Sequence, residues 1–257
     1  NSCNSMDNKN YKIVTFKGGL GNQLFQYSLA IYLKQELNQN VKLDLSWFKT
    51  QDKRKFLLND YLKVEFDIID ENYTNLFDRI ISYRSETIIS KFLKKKKFKF
   101  INKFNGYWQD IFFANYLGLS HFNQSLFTKE FSETEYYIIH YRSGDFKQSK
   151  AHNILSLDYY KKAINFFKDK KIFLLTEDIE DFDKNFLEEN NIKYLNLSEK
   201  DAFKTILFAK GGIASNSTFS WWPIYLSEHK NWVLPYNLLK KKNIISANLH
   251  IPGTLLV

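Results

Sequence analysis

Short runs of β-branched and aromatic residues recur along this chain, each leading into a glycine-rich or polar loop and then a stretch of helical spacing. That alternation restricts the fold to parallel sheets with helices on both faces, since a parallel strand pair needs a long crossover connection. Tyr11–Phe16 reads as a buried strand, Lys17–Gln23 as a glycine turn, and Leu24–Leu37 as a helix with Leu24, Tyr27, Ala30 or Ile31, and Leu33 or Lys34 on one face. Val41–Leu45 reads as a second strand. The stretch from Asp70 to Leu93 is expected to be mostly helical, with Ile80, Ile81, Ile88 and Ile89 as its apolar positions.

From Tyr136 the alternation becomes regular. Tyr136–Tyr141 is expected as a strand, and Ser156 as the cap of a helix reaching about Lys168. Ile172–Thr176 reads as a strand, Asp181–Glu189 as a helix and Ile192–Leu195 as a short strand. Ser198-x-x-Asp201 has the form of a capping box opening a helix to Ala209. Gly212–Ser215, Thr218–Leu226 and Trp232–Leu234 then read as strand, helix and strand. The result is two α/β halves, 11–125 and 126–257, joined in the region of residues 118–134, with no repeat of solenoid period.

Composition bounds the function classes. Apolar residues make up 44% of the 257, which argues against disorder, and the single cysteine argues against a disulfide-stapled module. No apolar run is long enough to span a membrane. The segment before Met6 reads as a cloning scar and residues 1–10 as a disordered start, so that Cys3 is foreign to a protein suited to a reducing compartment. No signal-peptide pattern follows Met6, and the cytoplasm is the expected location. The net charge of +9 is local: seven lysines lie between Lys91 and Lys103, and Lys240, Lys241 and Lys242 add three. Without those ten the chain carries one net negative charge.

Three loops concentrate polar groups at strand-to-helix turns. In Gly18-Gly19-Leu20-Gly21-Asn22-Gln23, backbone N–H groups at a helix start suit an anion, and two side-chain amides suit sugar hydroxyls or a bridging oxygen. The dinucleotide fingerprint fails because Leu24 stands where the third glycine belongs, and no Gly-Lys-Ser/Thr makes a Walker loop. An ordinary glycine turn would also fit. In His140-Tyr141-Arg142-Ser143-Gly144-Asp145-Phe146, an arginine at the end of a strand offers a planar fork to phosphate, and Asp145 could fix it or take a ribose or base donor. A strand-end Arg–Asp ion pair beside a core histidine is the plainer alternative. In Ser215-Asn216-Ser217-Thr218-Phe219-Ser220-Trp221-Trp222, four hydroxyls crowd one helix start where a single N-cap would suffice, and the surplus suggests a pyrophosphate. Trp221 and Trp222 are expected in the core. Glu177 and Asp178 close the Leu174-Leu175-Thr176 strand and suit a ribose or guanine edge; no carboxylate or histidine cluster has metal-ligand spacing.

Taken in order, these stretches resemble the α-1,2-fucosyltransferases of glycosyltransferase family 11. Gly18–Tyr27 looks like that family's opening signature, His140-x-Arg142-x-x-Asp145 is similar to its second motif, and Ser215–Trp222 resembles its third. Gly106-Tyr-Trp-Gln109 and Leu155–Tyr160 also fall where the family has similar stretches, so the likeness runs from about Tyr11 to Pro235. It implies an α/β fold of GT-B type, two Rossmann-like domains with acceptor contacts in the first and the donor site in the second. It further implies an inverting enzyme that moves L-fucose from GDP-fucose to a hydroxyl, such as O2 of a terminal galactose in a bacterial O-antigen, with no metal or other cofactor. Arg142 would hold the β-phosphate, His140 and Asp178 the guanine or ribose, and Ser217–Ser220 the pyrophosphate, with Ser143, Ser215 and Asn216 also among the substrate-binding residues. Asn22, with Gly19, Gly21 and Gln23 around it, would stand at the reacting centre, and Asp145 would act with Arg142.

One departure bears on specificity. The family's second motif carries two consecutive arginines, and here the second is Ser143. Donor binding could be weaker, Lys147 or Lys150 could replace the lost guanidinium, the acceptor, donor or linkage could differ, or the chain could bind a GDP-sugar without turnover. No acceptor base is legible; Asp44 and Asp110 look like solvated acids, and His152 looks structural or acceptor-binding. The lysine run, interleaved with Phe92, Phe98 and Phe100, lacks any nucleic-acid motif. It reads as a solvated face or as a peripheral contact with an anionic inner leaflet, which would suit a lipid-linked oligosaccharide acceptor.

Overall fold

The protein is described by a computed structural model covering residues 11–70, 86–96, 101–128, 131–144, 154–236 and 249–257. The chain divides into two units, residues 1–59 with 63–117, and residues 60–62 with 118–257. The division thus falls at 117/118 rather than 125/126, and a short piece around Tyr61 joins unit 2. It does so by pairing: Leu62 bridges Phe122, and the Tyr61 ring meets Phe203 edge-on at 5.4 Å.

Unit 1 is built on a parallel sheet in the order β3-β2-β1-β4, with β1 Tyr11–Thr15, β2 Asn40–Asp44, β3 Asp67–Ile69 and β4 Lys103–Phe104. Helix α1, Leu20–Gln35, crosses from β1 to β2 and buries Leu24, Tyr27, Ala30, Ile31 and Leu33. It starts four residues before the expected Leu24, because Gly19 already stands in the extended N-cap conformation and Leu20 is itself buried. Helix α2, Glu86–Lys94, turns Ile89 and Leu93 inward and leaves Ile88 and Phe92 about half exposed. The earlier part of the helix expected from Asp70, with Ile80 and Ile81, lies outside the described residues. Helix α3, Ile111–Ala114, is capped by the Asp110 carboxylate, which accepts from Phe112 N.

Unit 2 carries a wholly parallel sheet in the order β10-β9-β8-β5-β6-β7. Its strands are β5 Tyr137–His140, β6 Ile172–Leu175, β7 Lys193–Leu195, β8 Gly211–Ile213, β9 Asn231–Leu234 and β10 Leu255–Leu256. β6 is buried at every residue, as a strand covered on both faces requires. Ile139, Tyr160, Phe167, Leu174, Phe186 and Val233 belong to one buried cluster, each large side chain stabilising the fold by roughly 1.5–3 kcal/mol.

The helices of unit 2 start where expected, at Ser156, Ser198 and Thr218, except the one expected from Asp181. Helix α4, Leu157–Ala163, runs on as a 3-10 turn to Phe167, and Ser156 occupies its N-cap without a side-chain capping bond. The helix expected from Asp181 is a 3-10 turn, Ile179–Asp181, followed by α5, Lys184–Glu189. Asp183 decides that boundary, since its carboxylate accepts from Asn185 N and Phe186 N. Helix α6, Glu199–Phe208, starts at Ser198, whose hydroxyl accepts from Asp201 N at 3.1 Å. Helix α7, Thr218–Leu226, starts at Ser217 and buries Trp221 and Trp222 in the core. Among the described residues, no helix is long and apolar enough to cross a membrane.

Candidate active site

In unit 2 the chain leaves β5 toward β6 and β7 on one side, then returns to lay β8 along the other side of β5. Loops diverge at the carboxyl ends of β5 and β8, and that switch point is where open α/β sheets bind ligands. His140–Gly144 and Ala214–Ser217 are those loops. The second and third of the sequence's polar stretches are therefore adjacent in space, and one bond ties them: His140 Nδ1 and Ser215 Oγ are 2.8 Å apart.

His140 is the hinge of this crevice rather than an open ligand group. It is buried, its ring lies 5.9 Å from that of Phe219, and its carbonyl accepts from Tyr160 Oη. Burial, with the Arg142 charge adding to it, lowers its pKa to about 3. The imidazole is neutral at physiological pH, so it can hold a hydrogen bond but cannot relay a proton through its cationic form.

Arg142 stands at the mouth of the crevice with its side chain 19% exposed, and its Nη1 donates to Glu177 Oε2 at 3.0 Å. Glu177 is largely solvated. Ser143, where the family has its second arginine, is fully buried and donates to Asp181 Oδ2 at 2.5 Å. Ser143 N and Gly144 N both donate to Asp178 Oδ2. Asp178, expected at a guanine or ribose, thus uses that oxygen to pin the loop after β5 to the loop after β6. Asp145, Lys147, Lys150 and His152 lie outside the described residues.

The hydroxyls of the third stretch are mostly consumed inside the protein. Ser215 bonds His140, Ser217 caps α7 by accepting from Phe219 N, and the buried Ser220 donates back to Ser217 O. Much of the surplus that suggested a pyrophosphate is thus engaged within the fold: Ser215 by a strand distant in sequence, Ser217 and Ser220 within the turn that opens α7. Asn216 is buried, while Thr218 and Phe219 are partly exposed at the first turn of α7. What remains for an anion is the Arg142 fork and the positive end of a nine-residue helix.

Unit 1 has its own switch point, since β1 lies between β2 and β4. Asn22, in the first turn of α1, accepts from Gln109 Nε2 at 2.7 Å, which brings the opening stretch to the Gly106–Gln109 stretch. Gly21 is buried in that turn, and a Cβ at Gly19 would stand 3.2 Å from Arg54 Nη1, placing that guanidinium over the turn. Gln23, expected to meet a sugar, is wholly buried. Its Nε2 donates to Gly18 O and Lys55 O, and its Oε1 accepts from Leu57 N, so it clamps a loop. Gln26 does the same for Lys17 and Gly106. Arg54 and Asp181 carry no local signal in the sequence; only packing reveals them.

Asp44 and Asp110 are not solvated. Asp44 is 1% exposed and pairs with Lys103 at 2.9 Å while accepting from Thr15 and Ser46. Burial alone would raise its pKa, but Ser46 and Lys103 together hold it below the ordinary carboxylate value. Asp110 caps α3 and pairs with Lys94. Neither is placed to take a proton from an acceptor. Among the described residues, no three of His, Cys, Asp and Glu gather where they could hold a metal ion.

Residues 3–244 match the family described as glycosyl transferase family 11. The chain belongs to that family. It is therefore a glycosyltransferase, and its relatives are in keeping. It is 28% identical to the O-antigen biosynthesis glycosyltransferase WbnK of Escherichia coli, over 84% of this chain and 90% of that protein. It is 26% identical to an alpha-1,2-colitosyltransferase of Escherichia coli, over 84% and 88%. Among solved structures it is similar to NodZ alpha-1,6-fucosyltransferase co-crystallized with GDP, with a TM-score of 0.55 at 12% identity, over 84% of this chain and 92% of that one. NodZ from Bradyrhizobium gives 0.53 over the same shares. The fold is thus the GT-B-like α/β arrangement that the motifs led one to expect.

Proposed function

We propose that this glycosyltransferase moves L-fucose from GDP-β-L-fucose to a glycan hydroxyl, O2 of a terminal galactose, during O-antigen synthesis in the cytoplasm. The observation that carries the reading is Arg142 just past the carboxyl end of β5, the strand paired with the β8 that leads into α7. In an inverting single displacement, the acceptor oxygen attacks the anomeric carbon as the bond to the β-phosphate oxygen breaks. Charge then gathers on GDP, and a preorganised arginine and helix end stabilise it more in the transition state than in the ground state. The acceptor proton passes to the leaving phosphate. Arg142 and the helix end supply the countercharge in place of a metal.

The experiment is a panel of GDP-fucose and a nucleotide-activated colitose donor against galactose-terminated acceptors, run with and without EDTA. Fucosyl transfer that survives EDTA, with product linked at O2, is the expected result. Colitosyl transfer, another linkage or dependence on a metal would each overturn the corresponding part. A second reading rests on Ser143: with its hydroxyl tied to Asp181, the second guanidinium of the family is absent, and the chain would bind GDP-sugars without turnover. Stabilisation by GDP with no product across the panel would establish it.

The membrane contact we propose is narrower than the whole lysine run. Lys94, Lys96 and Lys103 pair with Asp110, Glu36 and Asp44. What is left on α2 and its exit is an outward stripe of Ile88, Lys91, Phe92 and Lys95 at helical spacing, with Ile88 53% and Phe92 48% exposed. Each lysine contributes about 1 kcal/mol near an anionic surface, so binding should be weak, salt-sensitive and dependent on the two apolar side chains. Cosedimentation with phosphatidylglycerol vesicles should fall in Ile88→Ala/Phe92→Ala, and equal recovery with neutral vesicles would end this part of the proposal. Lys97, Lys99, Phe98, Phe100 and Lys240–Lys242 lie outside the described residues.

A further inference from the structure

The loop that follows β4 is held in a conformation its own residues oppose. Trp108 has a φ of 54°, in the left-handed region, which is costly for a bulky side chain. Its indole Nε1 is buried with no hydrogen-bond partner among the described residues, a second cost. Such a conformation persists only where the surroundings over-determine it. Here Glu86, the first residue of α2, is one such group. Its carboxylate accepts from the backbone N–H of Trp108 and is also bonded by the backbone of Tyr107 and Gln109. Three successive amides therefore converge on one carboxylate, an anion nest filled by the protein's own side chain.

Two neighbours fit this arrangement. A Cβ at Gly106 would lie 2.9 Å from Glu86 Oε2, so a side chain there would push the carboxylate back from the loop. Gln26 Nε2 donates to Gly106 O at 3.0 Å, fixing the other side of the same peptide stretch. Burial raises the pKa of Glu86, although the three amides and the nearby Lys17 ammonium act against that shift. The loop ends on Gln109, whose Nε2 reaches Asn22 Oδ1 at 2.7 Å. That bond sets which way the Asn22 amide faces.

We propose that Glu86 is a positioning residue, which holds the Gly106–Gln109 loop in the shape that presents Gln109 to Asn22. Its consequence for turnover rests on the reading of Asn22 as a residue at the reacting centre; the geometric part does not. Glu86→Gln places an NH2 group among three N–H donors and breaks the nest with little change in volume. Glu86→Asp keeps the charge but withdraws it by one methylene, and serves if the glutamine variant does not fold.

The test combines a spectroscopic and a kinetic reading on the full chain. In 1H–15N spectra the Gln109 side-chain amide, identified by its loss in Gln109→Ala, should move in Glu86→Gln toward its position in Asn22→Ala. An unmoved signal overturns the proposal. In transfer assays Glu86→Gln and Gln109→Ala should each lower kcat, by up to roughly 100-fold for a misplacement of about 1 Å, with KM for the donor unchanged. The double variant should be no slower than the slower single one. Additive losses, or a wild-type kcat for Glu86→Gln alone, would overturn a route through Gln109. If Asn22→Ala keeps the wild-type rate while the amide signal moves, the role of Asn22 falls and the positioning by Glu86 stands.

Discussion

Arg142→Ala should lower the rate of transfer by roughly 10²–10³, and Arg142→Lys by nearly as much, without loss of the folded state. Removing one preorganised donor to a charge that develops in the transition state typically costs roughly 3–4 kcal/mol. Lysine restores the charge but not the planar fork that meets two phosphate oxygens at once. The ion pair of Arg142 with the solvated Glu177 contributes about 0–1 kcal/mol, as exposed pairs do, so its loss should leave the fold in place. Glu177→Gln is the control: it removes that ion pair, so donor affinity should hold or rise. Wild-type turnover in a folded Arg142→Ala protein would remove the arginine from the mechanism, whatever the donor proves to be.

Gly212→Ala should abolish stable folding of unit 2. Gly212 has a φ of 151°, and a Cβ there would stand 1.9 Å from Ile138 O on β5. Gly211, at 157°, would place its Cβ 1.9 Å from Asn231 O on β9. Both oxygens are backbone atoms of paired strands and cannot rotate away. Accommodating even one methyl would pry β8 from a neighbour and disturb the Ser215–His140 bond at its end. A loss above about 4 kcal/mol is expected, beyond what most point changes cause and a large fraction of a domain's stability. Urea unfolding or soluble yield reads the effect; a midpoint equal to the wild type would show that the strand can shift after all.

These two residues differ in how visible they are from sequence. Arg142 is legible, because a strand of β-branched residues ending in a polar loop announces a carboxyl edge, and such edges bind ligands. The necessity of Gly212 is not, because nothing local separates it from an ordinary strand start; the reason is a carbonyl on β5, far away in the chain. The same contrast runs through the site. Ser198 and Asp201 are a local pair and their cap is readable, as is the helix that follows. Asp183, another local cap, instead delays the start of the helix expected from Asp181, since its carboxylate accepts from the first amides of α5.

The polar residues themselves were the less legible part. Four hydroxyls at one helix start look like a ligand cradle until Ser215 is found against His140 and Ser220 against Ser217. Gln23 looks like a sugar contact until Leu57 and Lys55 close on it. Asp44 looks solvated until Lys103 is found beside it. In each case the residue type and the loop point toward chemistry, while burial assigns the group to the fold.

By itself the sequence determined the alternation of strands and helices, hence parallel sheets, and the loops at which polar chemistry gathers. Those follow from backbone periodicity and side-chain branching, which act over a few residues. Only the tertiary structure decided which side chains in those loops remain available. A buried polar group must find a partner wherever the fold offers one, so Ser143 goes to Asp181, Asp178 to the amides of the neighbouring loop and Glu86 to those of Tyr107, Trp108 and Gln109. The partner is chosen by distance in space, and distance in space is what a linear pattern does not contain.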